Sequence, residues 1–169
     1  MVIDDFNNTV DIWIKELHTY SFKELSTKPD AVSWSLAQVV IHVINENKFY
    51  TEQMESCLVD NGSQKEKMNA EAEVMFLKNE FPDERIKGNE LPENIGLPQS
   101  KEQLQQELLE LKGKNNSLWI RINSNKSAGK ARHPGLGYFN AKEWFQFAEM
   151  HLRHHLRQKK RIDEFLQSI

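Results

Sequence analysis

The sequence predicts an all-α fold, and three observations carry that expectation. Apolar residues recur at helical spacing in four long segments, capping pairs stand where two of these begin, and no segment of useful length alternates at the strand period. The first segment, roughly Ile3 to Leu25, repeats Phe6, Val10, Trp13, Ile14, Leu17 and Tyr20 on one stripe, and Lys28-Pro29-Asp30 breaks it. A second starts near Ser33 or Ser35 and runs through SLAQVVIHVINENKFYTEQMESCL, stopping before Asp60-Asn61-Gly62. Its centre is apolar nearly all round, so it is expected to be the most buried helix.

Residues 62–99 read as a long connection with one short helix around Val74-Met75-Phe76-Leu77, ending in a run that holds Pro82, Gly88, Pro92, Gly96 and Pro98. Ser100 with Gln103 resembles a capping box and opens a third long helix, with Leu104, Leu108, Leu111, Leu118 and Ile122 on its apolar side and Gly113 as a weak point. A glycine-rich turn, ARHPGLGYF, leads to a second cap pair, Asn140 and Glu143, and a fourth helix continues to about Leu166. The long link between the second and third helices implies a crossover topology in which those two need not be adjacent antiparallel neighbours.

A chain of 169 residues is the size of one domain, here residues 1–169, able to bury its own core. With 22 basic against 25 acidic residues and a formal charge of −3, it has no general field for nucleic acid or anionic lipid. The N-terminus, MVIDDFNNTVDIWIKEL, lacks the features of a secretory signal and no window reaches the length of a membrane span, so a cytoplasmic location is expected. Cys57 is the one cysteine, which excludes an intramolecular disulfide and a cysteine-based zinc cluster. Any metal must be held by histidine and carboxylate. Four tryptophans and an apolar stripe on the first helix prompt the expectation of a symmetric homodimer.

The C-terminal stretch EMHLRHHLRQKKRI places His151, His154 and His155 within about one and a half turns of one helix. At about 100° per residue, His151 and His155 fall in the middle of the apolar stripe with Trp144 and Ile162, while His154 sits at its edge. Two histidines at i and i+4 can converge on one ion, and a metal meets the polar demand of two buried imidazoles. The plainer reading is a pair of core-edge histidines bonded to neighbours or water. His42, mid-way along VVIHVI, is the leading third ligand. Glu46, one turn on, reads as a fourth ligand, a carboxylate orienting His42, or a general base, set against a solvated carboxylate at the stripe's edge. His18 and His133 have no partner at ligand spacing, and His133 before Pro134 reads as a residue that fixes its turn. RQKKR at 157–161 reads as a solvated helix end, and Cys57 as packing.

Three stretches, WSLAQVVIHVINE at 34–46, HPGLGYFNAKEW at 133–144 and HLRHHLRQKKRI at 151–162, together resemble the DinB-like superfamily of metal-binding helical bundles, which includes thiol-dependent S-transferases related to bacillithiol transferase. The middle of the chain matches only in layout. The resemblance implies an up-up-down-down four-helix bundle with a long connection between helices 2 and 3, and metal ligands at His42, His151 and His155. It implies one divalent ion, zinc or nickel, with a position left open for water or a thiolate. The expected activity is transfer of a small-molecule thiol to an electrophilic substrate, with Glu46 orienting a ligand or accepting the proton. A metal-dependent hydrolase on the same residues and a non-enzymatic, stress-linked binding or dimerisation module are the alternatives. Metal and activity are expected to fall together below about pH 6, because free histidine protonates near pH 6.5.

Overall fold

Helix α1, Val2–Leu17, forms on the predicted stripe and buries Ile3, Phe6, Val10, Trp13 and Leu17. It stops earlier than the periodicity suggests. Ser21 starts a separate short helix, α2 (Phe22–Ser26), through a reciprocal cap with Glu24 that satisfies otherwise unpaired backbone donors. Ser35 does the same with Gln38 and opens α3, Leu36–Ser56, which buries eleven of its 21 residues. No other long helix buries so large a share, as its all-round apolar centre predicts.

The computed structural model describes residues 1–82, 95–125 and 129–168. In the connection, Asn69 caps α4, Ala70–Lys78, which ends at Asn79 in the left-handed region (φ 52°). Gly88 and Pro92, which the sequence reading used for that connection, lie outside the described residues. Helix α5 runs unbroken through Gly113 from Lys101 to Ser124, with the Ser100 hydroxyl accepting from the Gln103 backbone N–H. Asn140 and Glu143 cap α6, Ala141–Leu166, reciprocally.

Between α5 and α6 the expectation of no strands fails. Strands β1, Lys130–His133, and β2, Gly137–Asn140, form an antiparallel hairpin, with His133 opposite Gly137. Four-residue strands are too short to show a period against the glycines and proline of their turn. Gly137 adopts φ +88°, and a Cβ there would meet Lys67 O at 2.6 Å. Only glycine lets the 67–69 segment bond to this edge, where Tyr138 N donates to Lys67 O and Asn69 N to Leu136 O.

The four long helices close a ring of contacts in the order α1, α6, α3, α5. Successive cross-links set their directions. Lys48–Glu107 and Glu55–Arg121 make α3 and α5 run the same way. Thr9–Glu149 and Glu16–Lys159 do so for α1 and α6. Asn7–Asn116 with Asp11–Lys112 opposes α1 to α5, and His42–His155 with Tyr50–Phe147 opposes α3 to α6. In chain order the long helices therefore run up, down, down, up, and the up-up-down-down expectation is corrected. The physical reason lies in the links: a 21-residue helix is about 31 Å long, so joining the end of α3 to the start of a parallel neighbour requires the chain to travel back that far. Residues 57–100 link the two helices.

The α1 stripe that prompted the dimer expectation faces this chain's own core, where Phe6, Val10, Trp13 and Leu17 are at most 2% exposed. Among the described residues, no helix is long and apolar enough to cross a membrane.

The hairpin geometry makes a prediction. Gly137→Ala should lower unfolding stability by more than about 1 kcal/mol, because it combines a disfavoured φ with a backbone clash. Urea denaturation reads this directly, and an unchanged midpoint would contradict the clash.

Candidate metal centre

The antiparallel crossing of α3 and α6 brings His42 against His151 and His155. One donor nitrogen from each lies within 4.8 Å of the other two, and among the described residues no carboxylate or cysteine joins the group. The His42 ring is 5.3 Å from that of His151 and 4.8 Å from that of His155, centre to centre. The two α6 histidines present Nε2 to Nε2 at 3.1 Å. Each sequence-predicted ligand is therefore at the site.

The donor set fits a divalent ion. Two nitrogens held by one ion at about 2.0–2.1 Å are about 3.3 Å apart in tetrahedral geometry and at most about 4.2 Å apart in any geometry. The α6 pair already meets that requirement at 3.1 Å, and the His42 nitrogen lies within 4.8 Å of both. Nδ1 of His151 is buried without a hydrogen-bond partner, so its ring has one nitrogen directed at the cluster and none engaged elsewhere. Three imidazoles with no acidic ligand form a neutral set that leaves a coordination position for an outside molecule.

Electrostatics keep the set neutral. Burial holds the His42 pKa below the usual histidine value, opposed by the Glu46 carboxylate. Burial likewise lowers His151 well below that value, helped by the neighbouring histidines. For His155, burial and then repulsion from His42 bring the value to about 3, against a hydrogen bond to Gln158 that acts the other way. The sequence expectation of metal loss near pH 6 used the free-histidine value. Burial keeps the lone pairs available to lower pH.

Glu46 lies outside the three-histidine donor group. Its Oε2 instead accepts from the Tyr50 hydroxyl at 3.1 Å, and Tyr50, 4% exposed, packs its ring edge-on to His151 at 5.5 Å. Trp34, just before the α3 cap, lays its ring 4.8 Å from His42. His154 stands off the group as its wheel position requires, with Nδ1 2.9 Å from an Arg157 nitrogen and its ring against Phe81. His133 accepts from the Gly135 N–H and packs among Phe139, Trp144 and Phe147, fixing its turn. His18 is the exposed cap residue ending α1.

Two residues escaped the sequence reading. Gln158 places Oε1 2.8 Å from His155 Nδ1, although as one polar residue on a polar helix end it carries no signal of its own. Lys159 is not part of a solvated basic run: it is 7% exposed and pairs with both Glu16 and Asp163. Cys57 is packing as expected, buried with its thiol pushed up to about 11 by burial.

Comparison with known proteins gives an independent line. The sequence profile of the DinB superfamily matches residues 6–158, a span that includes all three histidines. No curated protein and no solved structure matches the chain.

Two predictions follow from this geometry. His151→Ala and His155→Ala should each lose bound divalent metal in elemental analysis, whereas His154→Ala should retain it; equal loss in all three would contradict the donor group. In the metal-free protein, His155 stays neutral when folded but protonates near pH 6.5 when unfolded. The unfolded chain therefore takes up protons first, so stability falls as pH drops from about 6.5 toward 3 and gains nothing from this group above 6.5. Denaturation midpoints from pH 7 to 4 should fall more steeply in the unsubstituted protein than in His155→Gln, and equal slopes would refute the buried neutral assignment.

Proposed function

The chain belongs to the DinB superfamily, and on that premise we propose that it is a metal-dependent thiol S-transferase, joining a low-molecular-weight thiol to an electrophilic small molecule. The observation that carries the reading is the convergence of His42, His151 and His155 in a donor group that, among the described residues, has no carboxylate. Such a set suits catalysis more than structure, because a purely structural zinc is closed by four protein ligands.

His42, His151 and His155 would hold one zinc or nickel ion as neutral ligands. Bound there, the ion supplies a Lewis acid that makes a thiol or water at its open position acidic enough to act as a nucleophile near neutral pH. Glu46 takes the role of proton acceptor. Its carboxylate stands one turn from His42 and is steadied by the Tyr50 hydroxyl. As the sulfur forms its bond to the electrophilic carbon, the S–H bond breaks and the proton passes to Glu46. In a displacement the leaving group departs with the carbon's former electron pair; in an addition Glu46 returns the proton to the product. The rings of Trp34 and Tyr50 beside His42 and His151 limit water around the reacting groups.

The experiment is a rate measurement with metal-loaded protein, a panel of small cellular thiols and a chromogenic soft electrophile. A metal-dependent acceleration that disappears in His42→Ala is expected. Glu46→Gln should keep the metal and lose on the order of 100-fold or more in rate, the scale of a general base. Loss of metal in Glu46→Gln would make Glu46 a ligand instead. If no thiol reacts but ester or amide hydrolysis is metal-dependent and fails in His42→Ala, a hydrolase replaces the transferase reading; if neither reaction occurs, a non-enzymatic role does.

A further inference from the structure

Gln158 follows His155 by three residues on α6, so the two side chains share a helix face. Its Oε1 lies 2.8 Å from His155 Nδ1. An amide oxygen accepts and never donates, so the contact requires Nδ1 to carry the ring hydrogen and leaves the lone pair on Nε2. That Nε2 is the atom 3.1 Å from His151 Nε2, inside the donor group.

We propose that Gln158 is the positioning residue of the metal centre: a neutral acceptor that selects the Nδ1–H form of His155 and so aims its Nε2 lone pair at the ion. The proposal rests on the metal reading above. His155 is 8% exposed, so water has little access to take over the task. No side chain among the described residues does it for His151, whose Nδ1 is buried without a partner. His155 is thus the α6 ligand whose tautomer a protein group decides.

The choice of an amide also has a chemical consequence. A carboxylate at the same place would select the same tautomer through a stronger hydrogen bond, but it would bring negative charge next to a ligand. Gln158 orients the ring while leaving the ion's full charge to act on whatever occupies the open position. The donor group itself, three imidazoles and no acid among the described residues, follows the same pattern.

The test uses the full chain with Gln158→Leu, Gln158→Met and Gln158→Glu, the methionine variant guarding against any disturbance of the helix by leucine. In metal-free protein at pH 7, long-range ¹⁵N NMR of the imidazoles reports the His155 tautomer. Competition with a chromogenic chelator reports zinc affinity. The expected results are Nδ1–H in the unsubstituted protein, zinc binding weaker by about 10–100-fold in the two apolar variants, and zinc binding at least as tight in Gln158→Glu. An Nε2–H tautomer in the unsubstituted protein, or undiminished zinc affinity in both apolar variants, overturns the proposal. If the unsubstituted protein shows Nδ1–H yet binds no zinc, the metal reading fails, and the role of Gln158 at a metal falls with it.

Discussion

The antiparallel crossing of α3 and α6 is the constraint on which the rest depends, because it alone sets a histidine of one helix against a pair on the other. The i, i+4 spacing stacks His151 and His155, and opposed helix directions then place His42 beside them while Tyr50, two turns further along α3, meets Phe147 at the earlier end of α6. Reverse one helix and the aromatic end would face the histidines. The long return from α3 to α5 serves the same arrangement: it leaves α3 and α5 parallel, so α6 can occupy the antiparallel position next to α3. Capping makes the crossing reproducible. Ser35–Gln38 and Asn140–Glu143 start the two helices at defined residues, and the histidine register counts from there.

Burial then decides the chemistry. Imidazoles in water are half protonated near pH 6.5, and protonated rings repel one another and any cation. Enclosure among Trp34, Tyr50 and Phe81 disfavours the charged forms, so the cluster presents lone pairs. Neutral nitrogens packed together still need a partner, and a divalent ion meets that need better than water does. Glu46, one turn after His42, is turned to the Tyr50 hydroxyl and lies outside the donor group.

The helices and the inward-facing histidines of α6 were legible because both depend on period. Helical spacing carries the α1, α3, α5 and α6 stripes, and the same wheel separates His154 from His151 and His155. What escaped depends on partners distant in sequence or on direction. A stripe is the same whether its helix points up or down, so the direction order needed cross-links such as Asp11–Lys112. The hairpin hides in four-residue strands around a proline-glycine turn. Lys159 looks solvated until α1 supplies Glu16 and the turn after it supplies the Tyr20 ring beneath the ammonium. Gln158 acquires meaning only when a rotamer brings its oxygen to His155.

X-ray absorption on the protein loaded with one equivalent of zinc tests the central claim most directly. The account predicts a first shell of nitrogen or oxygen scatterers at about 2.0–2.1 Å, with the outer-shell pattern of three imidazoles and one lighter ligand at the open position. A shell without imidazole scattering, or zinc that washes away from folded protein, would contradict it.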